Sequence, residues 1–197
     1  YEFRNRVGQE IVDYNQLKDS LKTYSHPRKK ISDWLYKGEL IRDFFGAEYA
    51  GKKITYLWQG ELNGTGGALF GIKDFLEDKF LVLMGDDFYH KQDLKKLLFY
   101  DLALLAKETD DPSRFGVIEK DNKGFLKEIE EKPSQPKSNL VNIGAYILNK
   151  KIFDYPLAPI SEKEFGLPQT LVQMIHDYSV KVVQAEFWHP HSRAEDL

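Results

Sequence analysis

Gly64-Thr65-Gly66-Gly67-Ala68-Leu69, followed by Phe80-Leu81-Val82-Leu83-Met84-Gly85-Asp86-Asp87, is the stretch that decides the fold. A glycine-rich turn opens an apolar-periodic segment, and a wholly apolar run then ends on paired acids. Five apolar residues in succession suit a strand covered on both faces, as parallel strands are. In an open α/β sheet, ligands collect beyond the carboxyl ends of such strands. Asp86 and Asp87 fall where that rule puts a ligand, and carboxylate oxygens suit Mg²⁺ carrying a phosphate. Taken alone, Gly-Asp-Asp reads equally well as an Asp-rich turn.

Outward from this stretch, Leu69, Ile72, Phe75 and Leu76 give the glycine turn a core-facing helical stripe. Upstream, Lys53-Ile54-Thr55-Tyr56-Leu57-Trp58 is rich in β-formers and predicts a strand. Leu40, Ile41, Phe44 and Phe45 predict a short helix that Gly46 stops, and Ile11, Tyr14 and Leu21 an earlier one ending near His26-Pro27. Downstream come an apolar run from Leu102 to Ala106 and a hairpin. The hairpin runs from Arg114 to Glu119 and from Phe125 to Glu131, turning at Asp121-Asn122-Lys123-Gly124. A strand over Val141 to Leu148, a helix started by Pro168 with Leu171, Met174, Ile175 and Tyr178 on one face, and a strand over Val180 to Trp188 complete the set. Strands alternating with helices, plus one hairpin, predict an α/β fold: a Rossmann-like mixed, mostly parallel sheet with helices on both faces.

A chain of 197 residues suits a single domain over 1–197. We expect it to be incomplete at its amino terminus, because no obvious first strand precedes Ile11 and Ser32-Asp33-Trp34 leaves little room for one. A net charge of −3 with interspersed signs gives no footprint for nucleic acid. No apolar run approaches a bilayer span, so no membrane partner is expected. The lack of cysteine excludes disulfides, thiolate metal sites and cysteine nucleophiles. The expected compartment is the cytoplasm, with self-association through exposed apolar edges expected as well.

The motifs add up to a resemblance. Gln59, then Leu62-Asn63-Gly64-Thr65-Gly66-Gly67, Leu83-Met84-Gly85-Asp86, Phe115-Gly116-Val117, Glu130-Glu131-Lys132-Pro133 and Asn142-Ile143-Gly144-Ala145-Tyr146 follow one another as in the sugar-phosphate nucleotidyltransferases. Members of that family join a nucleoside triphosphate to a sugar 1-phosphate and release pyrophosphate. The resemblance implies nucleotide binding by Gln59, Gly64, Thr65 and Asp86, with Gln59 reading the imide edge of a pyrimidine through its amide. It implies that Asp86 is catalytic and holds Mg²⁺ against the α-phosphate. Lys132 would be catalytic too, pairing with the sugar phosphate beside Glu131, which accepts from sugar hydroxyls. Gly116, Asn142 and Gly144 would line the sugar pocket.

Two departures keep other readings open. The family's amino-terminal glycine-rich loop ending in Arg wraps the triphosphate, and nothing in Tyr1 to Gly8 matches it. The family also carries a second metal aspartate two residues after a late Trp, where Trp188-His189-Pro190-His191 puts proline. His189 and His191 are poorer magnesium ligands than a carboxylate. The alternatives are therefore a pyrophosphorylase-like binding or regulatory module with impaired turnover, and a nucleotide-sugar-dependent glycosyltransferase.

Overall fold

The computed structural model describes residues 39–85 and 87–190. The expectations placed on Ile11 to Leu21, Tyr1 to Gly8, Asp86 and His191 lie outside these residues. The chain divides into two compact units, Tyr1–Trp58 and Gln59–Leu197. No helix among the described residues is long and apolar enough to cross a membrane.

In the first unit, helix α1 (Glu39–Phe45) stops where expected. Gly46 takes φ +65° and its N–H donates to the Arg42 carbonyl at 2.9 Å, a left-handed cap without Cβ penalty. A minimal hairpin follows, β1 (Glu48–Tyr49) against β2 (Lys52–Lys53). The strand expected over Lys53 to Trp58 needs correction, since beyond Lys53 the segment joins no ladder among the described residues. β-forming side chains favour a strand, but a ladder also needs a facing row of N–H and C=O groups. Instead the Ile54 N–H donates to the Ala47 carbonyl at 2.8 Å, and the Tyr56 hydroxyl to the Gly46 carbonyl at 2.8 Å.

The second unit comprises, in chain order, α2 (Gly64–Gly71), β3 (Lys79–Leu83), β4 (Asp87–Tyr89), α3 (Lys91–Leu97), β5 (Ala103–Glu108), β6 (Gly116–Lys120), β7 (Leu126–Glu131), β8 (Leu140–Asn149), α4 (Leu167–Met174), β9 (Lys181–Gln184) and β10 (Trp188–Pro190). The main sheet runs β7-β6-β8-β5-β9, with β3 also on β8, while β4 and β10 form a separate ribbon. Central β8 is apolar on both faces. Leu140, Tyr146 and Leu148 join Leu69 of α2 and Leu167, Leu171 and Met174 of α4 in one layer. Val141, Ile143, Ala145 and Ile147 join Leu97 of α3 in the other. Helices therefore cover both faces of a mixed sheet, the expected architecture. The hairpin of β6 and β7 and the Pro168 start of α4 also stand as expected.

The parallel share is smaller than expected: among the described residues, β5 with β9 is the one parallel ladder. The run Phe80 to Met84 is corrected with it. β3 lies antiparallel on β8, and Phe80 is buried while Leu81 and Leu83 are 38% and 40% exposed. That is the alternation of a strand packed on one face, which an unbroken apolar run conceals. Phe75 also leaves the core: α2 ends at Gly71, a 3₁₀ turn follows over Lys73–Phe75, and the Phe75 ring is exposed.

Helix α3 was not expected. Its seven residues are too few to hold a helix by propensity. Complete burial of Leu97 contributes roughly 1.5–3 kcal/mol and fixes it to the sheet. The strand expected over Val180 to Trp188 divides into β9 and β10, because buried Asp93 of α3 accepts the N–H groups of Glu186 at 2.8 Å and Phe187 at 3.2 Å. Burial opposes ionisation of Asp93, but the Lys96 ammonium and those two N–H groups outweigh it and hold the carboxyl below its usual range. The Lys96 Nζ lies 2.9 Å from Asp93 and 2.7 Å from Glu186. A cation thus already occupies the grouping of His90, Asp93 and Glu186.

Candidate active site

The site begins at a fork on β8. One edge of β8 carries β5 over Leu140 to Ile147, while the other is shared, with β6 meeting it at Val141 and β3 from Ala145 onward. Asn142, Ile143 and Gly144 lie between those two partners. Here β8 also spends Ile143, Gly144 and Ala145 against Leu105 alone, since Leu104 pairs Tyr146 and Ala106 pairs Asn142. Gly144 absorbs this bulge at φ +72°. A Cβ on Gly144 would strike the Met84 side chain and stand 3.3 Å from the Tyr89 hydroxyl. The Met84 N–H donates to the Gly144 carbonyl at 3.1 Å and ties the end of β3 to the bulge.

The fork opens into a cleft of about 870 Å³, the size of a small-molecule site. Thr65, Gly116, Glu131, Lys132, Asn142 and Gly144 all line it. Gly116 opens β6, where a Cβ would stand 3.0 Å from Ile129 Cγ2 and 3.2 Å from Glu131 Oε2. Lys132 follows β7, and its N–H donates to the Phe115 carbonyl at 2.9 Å. Its backbone sits at φ +45°, a conformation that costs a non-glycine residue on the order of 1–3 kcal/mol and concentrates at functional sites. The Lys132 Nζ lies 4.0 Å from Glu131 Oε1, with both side chains largely exposed. The Asn142 Nδ2 donates to the Tyr146 hydroxyl at 2.6 Å, and its Oδ1 accepts the Gly144 N–H at 3.3 Å. Thr65 Oγ1 accepts the Leu167 N–H at 3.1 Å, joining the starts of α2 and α4.

Gln59 and Gly64 are not among the residues lining this cleft. The Gln59 Nε2 donates to Asn63 Oδ1 at 2.9 Å and to the Gly64 carbonyl at 3.3 Å, bracing the glycine turn. Gly64 takes φ +86°, and a Cβ there would strike the Phe165 carbonyl. Close packing on Phe165 thus demands a glycine whatever binds nearby.

Asp87, Arg114 and Trp188 are among the further residues that line the cleft, and the Tyr89 hydroxyl stands behind Gly144. The Tyr89 hydroxyl donates to the Ile143 carbonyl at 2.9 Å and lies 3.3 Å from Asp87 Oδ2. Burial, with the Asp87 charge adding to it, holds the Tyr89 phenol far above its ordinary range. Burial does the same for Tyr146, against the opposing hydrogen bond from Asn142. Both phenols therefore stay protonated at neutral pH. Trp188 packs edge-on against Phe115 with ring centroids 5.1 Å apart. Its indole Nε1–H is buried and has no hydrogen-bond partner among the described residues, an uncommon state for a buried donor. The Arg114 guanidinium lies over the Phe115 ring, 5.4 Å from its centre. Adjacency to Phe115-Gly116 was the signal for Arg114; Tyr89 left none.

Comparison with known proteins agrees with this geometry. A family model described as nucleotidyl transferase matches residues 35–189. The chain is 38% identical over 165 residues to the bifunctional protein GlmU of Methanocaldococcus jannaschii, covering 82% of this chain and 40% of that protein. It is 29% identical over 163 residues to the UTP–glucose-1-phosphate uridylyltransferase AglF of Haloferax volcanii, covering 78% of this chain and 67% of that one. Among solved structures, HddC from Yersinia pseudotuberculosis complexed with GMP-PN matches with a TM-score of 0.58 at 25% identity, over 83% of this chain and 70% of that one. A UDP-glucose pyrophosphorylase complexed with UDP-glucose shares the fold with a TM-score of 0.65 at 22% identity, over 86% and 74%. The chain spans 40% of the length of the GlmU relatives it matches. The family match takes in the glycine turn, the fork on β8 and the Glu-Lys-Pro corner alike, and the chain belongs to the nucleotidyl transferase family.

Proposed function

We propose that this chain carries the fold and site of a sugar-1-phosphate nucleotidyltransferase. In that reaction a phosphate oxygen of the sugar 1-phosphate attacks the α-phosphorus of a nucleoside triphosphate. The bond from that phosphorus to the bridging oxygen breaks, and pyrophosphate leaves. The supporting observation is that an ammonium, a carboxylate, an amide and two glycines from separate strands line one cleft at the β8 fork. Lys132 donates to the sugar phosphate, and Glu131 accepts from sugar hydroxyls. The Asn142 amide, oriented by Tyr146 and Gly144, keeps one N–H and one lone pair for the sugar. Gly116 and Gly144 leave the wall open to a ring. Gln59, anchored to the glycine turn, reads the base beside Gly64 and Thr65, with a pyrimidine favoured.

Mg²⁺ is the proposed cofactor. The donor chemistry suits it: Asp87 brings a hard carboxylate to the cleft wall, and by resemblance Asp86 contributes the other. When bound, the metal neutralises phosphate charge.

The binding-module reading draws on Pro190, which stands where the family carries a carboxylate. Calorimetry with sugar 1-phosphate and with each nucleoside triphosphate, beside a pyrophosphate-release assay, separates the two. Binding with release supports the enzyme, binding without release the module, and no binding of either ligand overturns both.

A further inference from the structure

The ribbon of β4 and β10 bears on the missing carboxylate. Its register is Trp188 opposite Tyr89, His189 opposite Phe88 and Pro190 opposite Asp87. Directly opposed residues on antiparallel strands share a face, and alternate residues change face. Asp87, Tyr89, Trp188 and position 190 thus belong to one face, the face toward the cleft, because Asp87 and Trp188 line it. Position 189 belongs to the other, with Phe88, whose ring is 60% exposed. The register therefore puts His189 on the face opposite that of Asp87 and Trp188.

We propose that Asp87 supplies, from β4, the cation-binding carboxylate that the family pattern carries at position 190 of β10. This rests on the nucleotidyltransferase reading above. Paired positions lie on the order of 5 Å apart at Cα, so exchanging the acid between them keeps a carboxylate at nearly the same point in space. Proline itself offers no ligand atom. A second observation points to an oxygen-rich ligand in the same corner: the orphaned Trp188 indole N–H, on the residue paired with Tyr89. A metal-bound phosphate would offer Asp87 a cation and the Trp188 N–H an acceptor oxygen.

The test titrates Mn²⁺ into the chain at neutral pH and counts free Mn²⁺ by electron paramagnetic resonance. It compares the wild type, Asp87→Asn, Pro190→Asp and the double variant, and a parallel calorimetric titration follows glucose 1-phosphate without metal. Asp87→Asn should weaken Mn²⁺ about ten-fold or more, as expected from removing one charged oxygen ligand. Pro190→Asp should tighten Mn²⁺ in the wild type and restore it in the Asp87→Asn background, a rescue that a merely structural aspartate would not allow. Unchanged Mn²⁺ affinity in Asp87→Asn, or no rescue, overturns the inference. If Asp87→Asn fails to fold, Pro190→Asp alone decides, and no gain overturns it. A wild type that binds glucose 1-phosphate but no Mn²⁺ also overturns it while leaving the functional reading intact. A wild type that binds neither removes both.

Discussion

Asp93 Oδ2 accepts the backbone N–H of Glu186 at 2.8 Å, fastening the first turn of α3 to the bend that leads into β10. Asp93→Ala should cost about 1–2 kcal/mol, because it leaves the partly buried N–H groups of Glu186 and Phe187 without their acceptor, while Lys96 keeps Glu186. The folded carboxyl lies below the ordinary value of 3.8. Its stabilisation is therefore complete above about pH 4 and is lost as pH falls through the lower folded value. Urea midpoints of the wild type and Asp93→Asn should stand apart at pH 7 and converge in strong acid. A gap that acid leaves unchanged would remove the charge from the account.

Lys132 is 67% exposed at its side chain, so solvent screens whatever it binds. Lys132→Ala should weaken sugar 1-phosphate about ten-fold, or ~1.4 kcal/mol, and nucleoside triphosphate much less. Calorimetry with each ligand separately checks this. Equal losses would put Lys132 in the wrong subsite.

Trp188→Phe removes an unsatisfied buried donor and keeps most of the ring. Without ligand, the variant should be as stable as the wild type or more stable by about 1 kcal/mol. With sugar 1-phosphate and nucleotide present, it should bind less tightly. Thermal unfolding with and without ligands reads both signs. A variant destabilised equally in both conditions would show that the indole only packs.

Gly144→Ala places a Cβ against Met84 in a backbone conformation that alanine tolerates poorly. The expected loss is about 1–3 kcal/mol, accompanied by faster hydrogen exchange at the Met84 amide. An unaffected Met84 amide would show that the bulge relaxes without disturbing β3.

The gathering of Glu131, Lys132, Asn142 and Gly144 on one cleft wall was legible in the sequence because these residues are contiguous with their supports. Glu131 and Lys132 end a hairpin whose turn is spelled by Asp121 to Gly124. Asn142 and Gly144 sit inside an apolar run that only a central strand explains. The β4 and β10 ribbon was not legible. Three-residue strands carry almost no periodicity, and their pairing spans about a hundred residues of chain. The same holds for α3, which is helical because Leu97 is buried and not because its sequence insists. The pairing of Phe80 to Leu83 was misread for a related reason: an apolar run reports that a strand has company, but not which way the neighbour runs. Gly64 was read as part of a glycine turn for a nucleotide, whereas the residue it packs against, Phe165, is far away in sequence.

The left-handed backbone of Lys132 bears on how this position would evolve. Glycine would relieve the strain there, adding about 1 kcal/mol to the fold while deleting the ammonium from the cleft. A library sorted only for folding would drift toward glycine or asparagine at 132, whereas one sorted for ligand capture would return to lysine. The residue recovered there would report which of the two pressures had been applied.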